Sequence, residues 1–183
     1  MKLMMLVIIS LVVLLMAQHV FADSCVGTSS VPATNQQFKI DGQFDRDSKK
    51  WSFVLADLKT GEKRTGHLPK IKWHAHLHFF LSQDGKRFAV LDASANHHLA
   101  NRFMIYTSEG KLIASLGIYD ILTKEEQSEV QHSKSHIRWL KYDSKSRSYG
   151  KYLPNDNVVS LTTLTGREVL ISLSDGKRIK KKD

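Results

Sequence analysis

A chain of 183 residues with 27 lysines and arginines against 18 aspartates and glutamates, net +9, can bury one self-sufficient core and favours acidic partners. Its one cysteine, Cys25, excludes an internal disulfide, so the fold must stand on packing alone.

Met1-Lys2 precede an apolar run from Leu3 to Ala17, broken only by Ser10 and ended by Gln18 and His19. With Val20-Phe21-Ala22 as a small-residue exit site, residues 1–22 read as a cleavable signal peptide cut after Ala22. The run is shorter than the ~18 apolar residues a spanning helix needs, so no transmembrane helix is expected after cleavage. The product is expected to be exported, either periplasmic or secreted. Cys25 lies just beyond the cut and raises an alternative, a lipoprotein anchored at Cys25, although Ala22 stands where such a signal usually has leucine.

Residues 23–37 are rich in Ser, Thr, Ala and Asn and read as a flexible lead-in. Residues 38–176 read as a single β-rich domain, in which short β-branched and aromatic runs are punctuated by turn pairs. Trp51 to Leu58 ends at Thr60-Gly61. Leu77 to Leu81 turns at Asp84-Gly85 into Phe88 to Asp92, and Phe103 to Tyr106 turns at Glu109-Gly110 into Leu112 to Leu116. Val158 to Leu164 turns at Thr165-Gly166 into Val169 to Leu173, and Asp175-Gly176 opens a last short strand. Asp-Gly between extended runs is a strong hairpin signal, because glycine supplies the positive φ that tight turns require.

Thr123 and Glu126 form a capping box that predicts a helix from about Lys124 to Gln131, after which Ile137 to Tyr142 returns to strand. Residues 177–183 are a basic tail. The expected class is all-β with one short helix: an antiparallel meander of roughly nine to eleven strands, curled into an incomplete propeller-like array, a sandwich or an open barrel.

Leu81-Ser-Gln-Asp84-Gly85-Lys-Arg-Phe-Ala-Val, followed by Arg102-Phe-Met-Ile-Tyr106 and Glu109-Gly110-Lys-Leu112, resembles one blade of WD40-like exported propellers. The resemblance covers about Leu77 to Leu116 and extends to uncharacterised secreted bacterial proteins. It implies a four-strand β unit and no particular activity.

The most chemical stretch is His74-Ala-His76-Leu-His78-Phe-Phe80. Side chains alternate along a strand, so His74, His76 and His78 share a face with Phe80, while Ala75, Leu77, Phe79 and Leu81 face the core. An H-x-H pair brings two neutral imidazoles together, a ligand type suited to Zn, Cu or Ni, with His97 and His98, or His67, as further candidates. No cofactor is required by this reading. The plainer reading puts these histidines on a half-exposed strand face, and a third makes them a pH sensor.

No G-x-S-x-G elbow, H-E-x-x-H helix or phosphate loop occurs: Gly61-Glu-Lys-Arg-Thr-Gly66 ends in His67 where Lys is needed. Cys25 sits in the lead-in, and Asp84 belongs to its turn. Trp51, Trp73, Trp139, Tyr106, Tyr119, Tyr142, Tyr149 and Tyr152 are candidates for a sugar- or peptide-binding face or, more simply, for core. Arg138, Lys141 and Lys145 among aromatics suggest an anion patch, but without a recognised module nucleic acid is disfavoured as a partner. The leading expectation is therefore an exported, non-enzymatic binding or scaffolding domain with an envelope or extracellular partner, polyanionic by charge. The alternatives are a divalent-metal-binding protein and an enzyme of unrecognised class.

Overall fold

The structure, a computed structural model, describes residues 28–71, 75–93, 102–132 and 137–179. In chain order the described strands are β1 (Ser29–Val31), β2 (Ala33–Thr34), β3 (Phe38–Asp45), β4 (Lys50–Asp57), β5 (Lys63–His67), β6 (His76–Leu81), β7 (Arg87–Asp92), β8 (Phe103–Thr107) and β9 (Leu112–Leu116). Two one-turn helices, α1 (Ile118–Ile121) and α2 (Lys124–Gln127), follow. Then come β10 (Gln131–His132), β11 (Ile137–Arg138), β12 (Gly150–Leu153), β13 (Val158–Thr162), β14 (Glu168–Ser172) and β15 (Arg178–Ile179).

These strands form three meander sheets taken in sequence, β2-β3-β4-β5, then β6-β7-β8-β9 with β1 added beside β6, then β12-β13-β14-β15, and a two-stranded ribbon β10-β11 precedes the last of them. The protein is all-β, and every neighbouring pair is antiparallel except β1 with β6, where Ser29 faces His76 and Val31 faces His78. The stretch from Leu77 to Leu116 is one four-strand meander, joined at Asp84-Gly85 and Glu109-Gly110. No described sheet closes on itself.

The middle sheet is buried on both faces. Leu77, Phe79, Leu81, Phe88, Val90, Met104 and Tyr106 pack with Ile40, Trp51, Phe53 and Leu55 of the first sheet. Phe80, Ala89, Leu91, Phe103 and Ile105 point the other way, onto Val159, Leu161, Val169 and Ile171 of the third sheet and onto Ile118 and Ile121 of α1. Period-two alternation thus sorts one sheet's side chains into two cores. Phe88 is fully buried, 4.8 Å from the Phe53 ring and stacked at 5.4 Å on Tyr106. Burying such a side chain contributes roughly 1.5–3 kcal/mol, so the interface between the first two sheets is a principal source of stability.

Several boundaries differ from expectation for long-range reasons. Within the expected lead-in, residues 29–31 and 33–34 are strands, because two open sheet edges accept them: β6 takes β1, and β3 takes β2. In the expected tail, Arg178–Ile179 pairs with β14. The expected strand from Ile137 to Tyr142 keeps regular pairing only at Ile137–Arg138, with a further bridge from Leu140 to Thr163. The helix after Thr123 stops at Gln127, and α1 precedes it. The described strands number 15, more than the range expected, because several are only two or three residues long and carry no periodic signal.

Gly85 shows why the Asp-Gly turn tolerates no larger residue. It sits at φ 67°, and a Cβ there would stand 2.8 Å from the Phe38 ring. Asp84 serves the same turn, accepting from the Ser82 hydroxyl at 2.8 Å and the Lys86 N–H at 3.0 Å.

Candidate functional site

The alternation read along β6 holds, but the exposure expected for its histidine face does not. The third sheet and the chain leading into it cover that face, so His78 is only 2% exposed. Its ring stands edge-on to Tyr149 and to His76, with centroids 5.2 Å away in both cases. Neither ring nitrogen of His78 has a hydrogen-bond partner. Burial, helped by the neighbouring His76, lowers its pKa to about 4, so the ring is neutral at physiological pH. An unpaired buried polar group costs free energy.

His76 lies at the start of the strand and is half-buried. The Ser29 hydroxyl of β1 hydrogen-bonds its Nδ1. Burial pushes the His76 pKa down, and the Asp92 carboxylate partly opposes that. Asp92 itself accepts from the His76 backbone N–H at 3.4 Å and pairs with buried Arg102 at 3.8 Å. Ser29, His76 and Asp92 thus meet, with the carboxylate bound to the main chain of the histidine. His74, His97 and His98 lie outside the described residues, as do Trp73, Cys25 and the expected leader. His67 is exposed at the end of β5. Among the described residues, no group of three or more His, Cys, Asp or Glu is gathered to hold a metal ion.

Next to His78 opens a cleft of about 680 Å³, lined by all three sheets. Residues 31–37 of the β1–β2 segment and Lys59 form one wall, residues 78–81 of β6 the floor, and residues 146–154 around β12 the other wall. Asn35 shapes the first wall. Its amide donates to the Ser82 carbonyl at 2.9 Å, and its Oδ1 accepts from the N–H groups of Gln37 and Phe38 at 2.9 and 2.7 Å. Across the cleft the Tyr152 hydroxyl accepts from the Gln83 N–H at 3.2 Å and donates to Asn157 at 3.0 Å, which fixes its ring. Lys59 and Lys151 are exposed lining residues, and among the described residues no carboxylate lines the cleft.

Of these residues only His78 and Tyr152 were legible as candidates. Asn35, Lys59, Gln83 and Lys151 come from separate segments and carry no spacing signal. The aromatic candidates do not form one face: Trp51, Trp139 and Tyr106 are core, while Tyr119 and Tyr142 are exposed. Of the basic candidates, Arg138, Lys141 and Lys145 are exposed. A second, smaller hollow of about 240 Å³ lies between Leu91, Ile137, Trp139 and Tyr149. Among the described residues, no helix is long and apolar enough to cross a membrane. No protein-family model matches the chain, and no curated protein matches its sequence.

Proposed function

We propose that the protein is an exported, non-enzymatic binding module of the cell envelope or extracellular space, with the cleft beside His78 as its site and an anionic partner as its ligand. One observation carries this reading: a cleft of about 680 Å³ walled by three sheets, whose described lining has two exposed lysines and no carboxylate. A concave, largely preformed hollow with a few fixed polar groups is the usual form of a ligand site. The net charge of +9 works in the same direction by attracting anions over a distance.

The test uses two soluble polyanions, poly-glutamate and polygalacturonate, titrated into the protein and into the double variant Lys59→Glu, Lys151→Glu. Binding of at least one probe that weakens with salt and falls about tenfold or more in the variant is expected. If neither probe binds, or the variant binds as well as the parent, the reading fails.

A second reading keeps the metal alternative, on the observation that the His76 and His78 rings are 5.2 Å apart and His78 has both nitrogens unpartnered. Two imidazoles would supply part of a Zn, Cu or Ni site, and a further ligand would have to join them.

A further inference from the structure

From the side chains that line the cleft, and resting on its assignment as the binding site, we infer that its ligand is an acidic polysaccharide whose sugar rings carry carboxylates. A sugar ring presents an apolar C–H face and an edge of hydroxyls, and each hydroxyl both donates and accepts. The cleft has a counterpart for each of these and for the charge.

Tyr152 supplies the flat surface. Its hydroxyl is already engaged, accepting from the Gln83 N–H at 3.2 Å and donating to Asn157 at 3.0 Å, so what the half-buried side chain offers a ligand is the face of a ring held in place. Thr34 and Gln36 on the first wall and Gln83 beside the floor are exposed lining residues. Their hydroxyl and amides both donate and accept, which matches sugar hydroxyls, whereas the acidic side chains of a peptide only accept. Lys59 and Lys151, on opposite walls, provide point charges for carboxylates spaced along a chain. Among the described residues no arginine lines the cleft, so the planar fork that favours phosphate and nucleic acid is missing from that lining.

A peptide bound through its main chain would need a free strand edge facing the cleft. The walls do not meet in that way, because the side-chain face of β12 packs on β6. A Cβ on Gly150 would lie 3.4 Å from the Phe80 ring, and the Tyr152 hydroxyl holds the Gln83 N–H. The cleft therefore offers side chains in place of a backbone ladder. Its volume of about 680 Å³ falls within the ~300–1,000 Å³ usual for small-ligand sites, room for a short stretch of a longer chain.

The experiment titrates the protein into labelled polygalacturonate and labelled poly-glutamate, matched in length and charge, and anisotropy reads affinity. Polygalacturonate is expected to bind, with poly-glutamate about tenfold weaker or more. Tyr152→Leu, which removes the flat ring, is expected to weaken polygalacturonate about tenfold and leave poly-glutamate unchanged. The double variant Gln36→Ala, Gln83→Ala changes only exposed positions, so it tests the same point without endangering the fold. It is expected to lose about fivefold for polygalacturonate alone. Poly-glutamate binding as tightly as polygalacturonate, or equal losses for both polymers, overturns the sugar assignment and leaves the cleft's anion-binding role standing. Polygalacturonate binding that neither variant weakens also overturns it. If neither polymer binds, both readings fall.

Discussion

The His78 ring stands edge-on to the Tyr149 ring, with centroids 5.2 Å and planes 85° apart, and this contact seals a neutral imidazole between the middle and third sheets. A consequence for pH follows. The unfolded chain takes up a proton near pH 6.5, whereas folded His78 resists until about 4. Stability is therefore complete above pH 6.5 and declines as pH falls toward 4, because the unfolded state binds the proton first. The full loss is on the order of 3 kcal/mol, at ~1.36 kcal/mol per pKa unit. His76, also shifted down, adds to the same slope. Chemical denaturation at pH 4–8 measures it, and His78→Phe is expected to flatten most of the dependence.

Glu126 ties the short helix to the third sheet. Its carboxylate caps the Thr123 N–H at 3.0 Å, accepts from Thr163 and Thr165 at 2.8 and 2.9 Å, and pairs with Arg167. Burial pushes its pKa up, but Arg167 and these donors outweigh that and hold it at about 2. Glu126→Ala is expected to cost about 3 kcal/mol by leaving a partly buried guanidinium and several donors unpaired, whereas Thr123→Ala costs about 1 kcal/mol. Thermal or urea unfolding checks both values and their order.

Phe88 joins the first two sheets through Phe53, Phe79 and Tyr106, with ring centroids 4.8, 6.1 and 5.4 Å away. Phe88→Ala is expected to lose about 3–5 kcal/mol, combining lost transfer energy with a cavity that rigid neighbours cannot close. Gly85→Ala is expected to be destabilising as well, since positive φ and the Phe38 ring both oppose a Cβ. Urea midpoints of the two variants test the ranking, with Phe88→Ala the worse.

The metal reading is decided by calorimetric titration with zinc, copper and nickel, run on the protein and on His76→Ala and His78→Ala. One-to-one binding abolished by both substitutions is its expected outcome. Because His78 stays neutral, such binding persists at pH 6, where an ordinary histidine is mostly protonated. Absent binding, or binding indifferent to both variants, overturns the metal reading and leaves only the His78 ring to the cleft.

Much of the fold could be read locally. Asp84-Gly85, Glu109-Gly110 and Thr165-Gly166 each close a hairpin where glycine permits positive φ, and Thr123 with Glu126 caps a helix. Alternation along His76 to Leu81 assigned each side chain to its face. What it left open was whether the histidine face is wet or dry, because that depends on the third sheet, more than 60 residues on. Likewise, the capping role of Glu126 is a spacing of three, but its pairing with Arg167 spans 41 residues.

The sequence by itself determined the β class, the turn positions and the two faces of β6, since all three follow from φ preferences and a two-residue period acting between near neighbours. Only the tertiary structure decided that His78 is buried, that residues 29–34 become strands, and that Asn35, Lys59, Gln83, Lys151 and Tyr152 share one cleft. These outcomes depend on which sheet edges are left open and which faces are covered, and such choices are settled by packing between segments far apart in the chain.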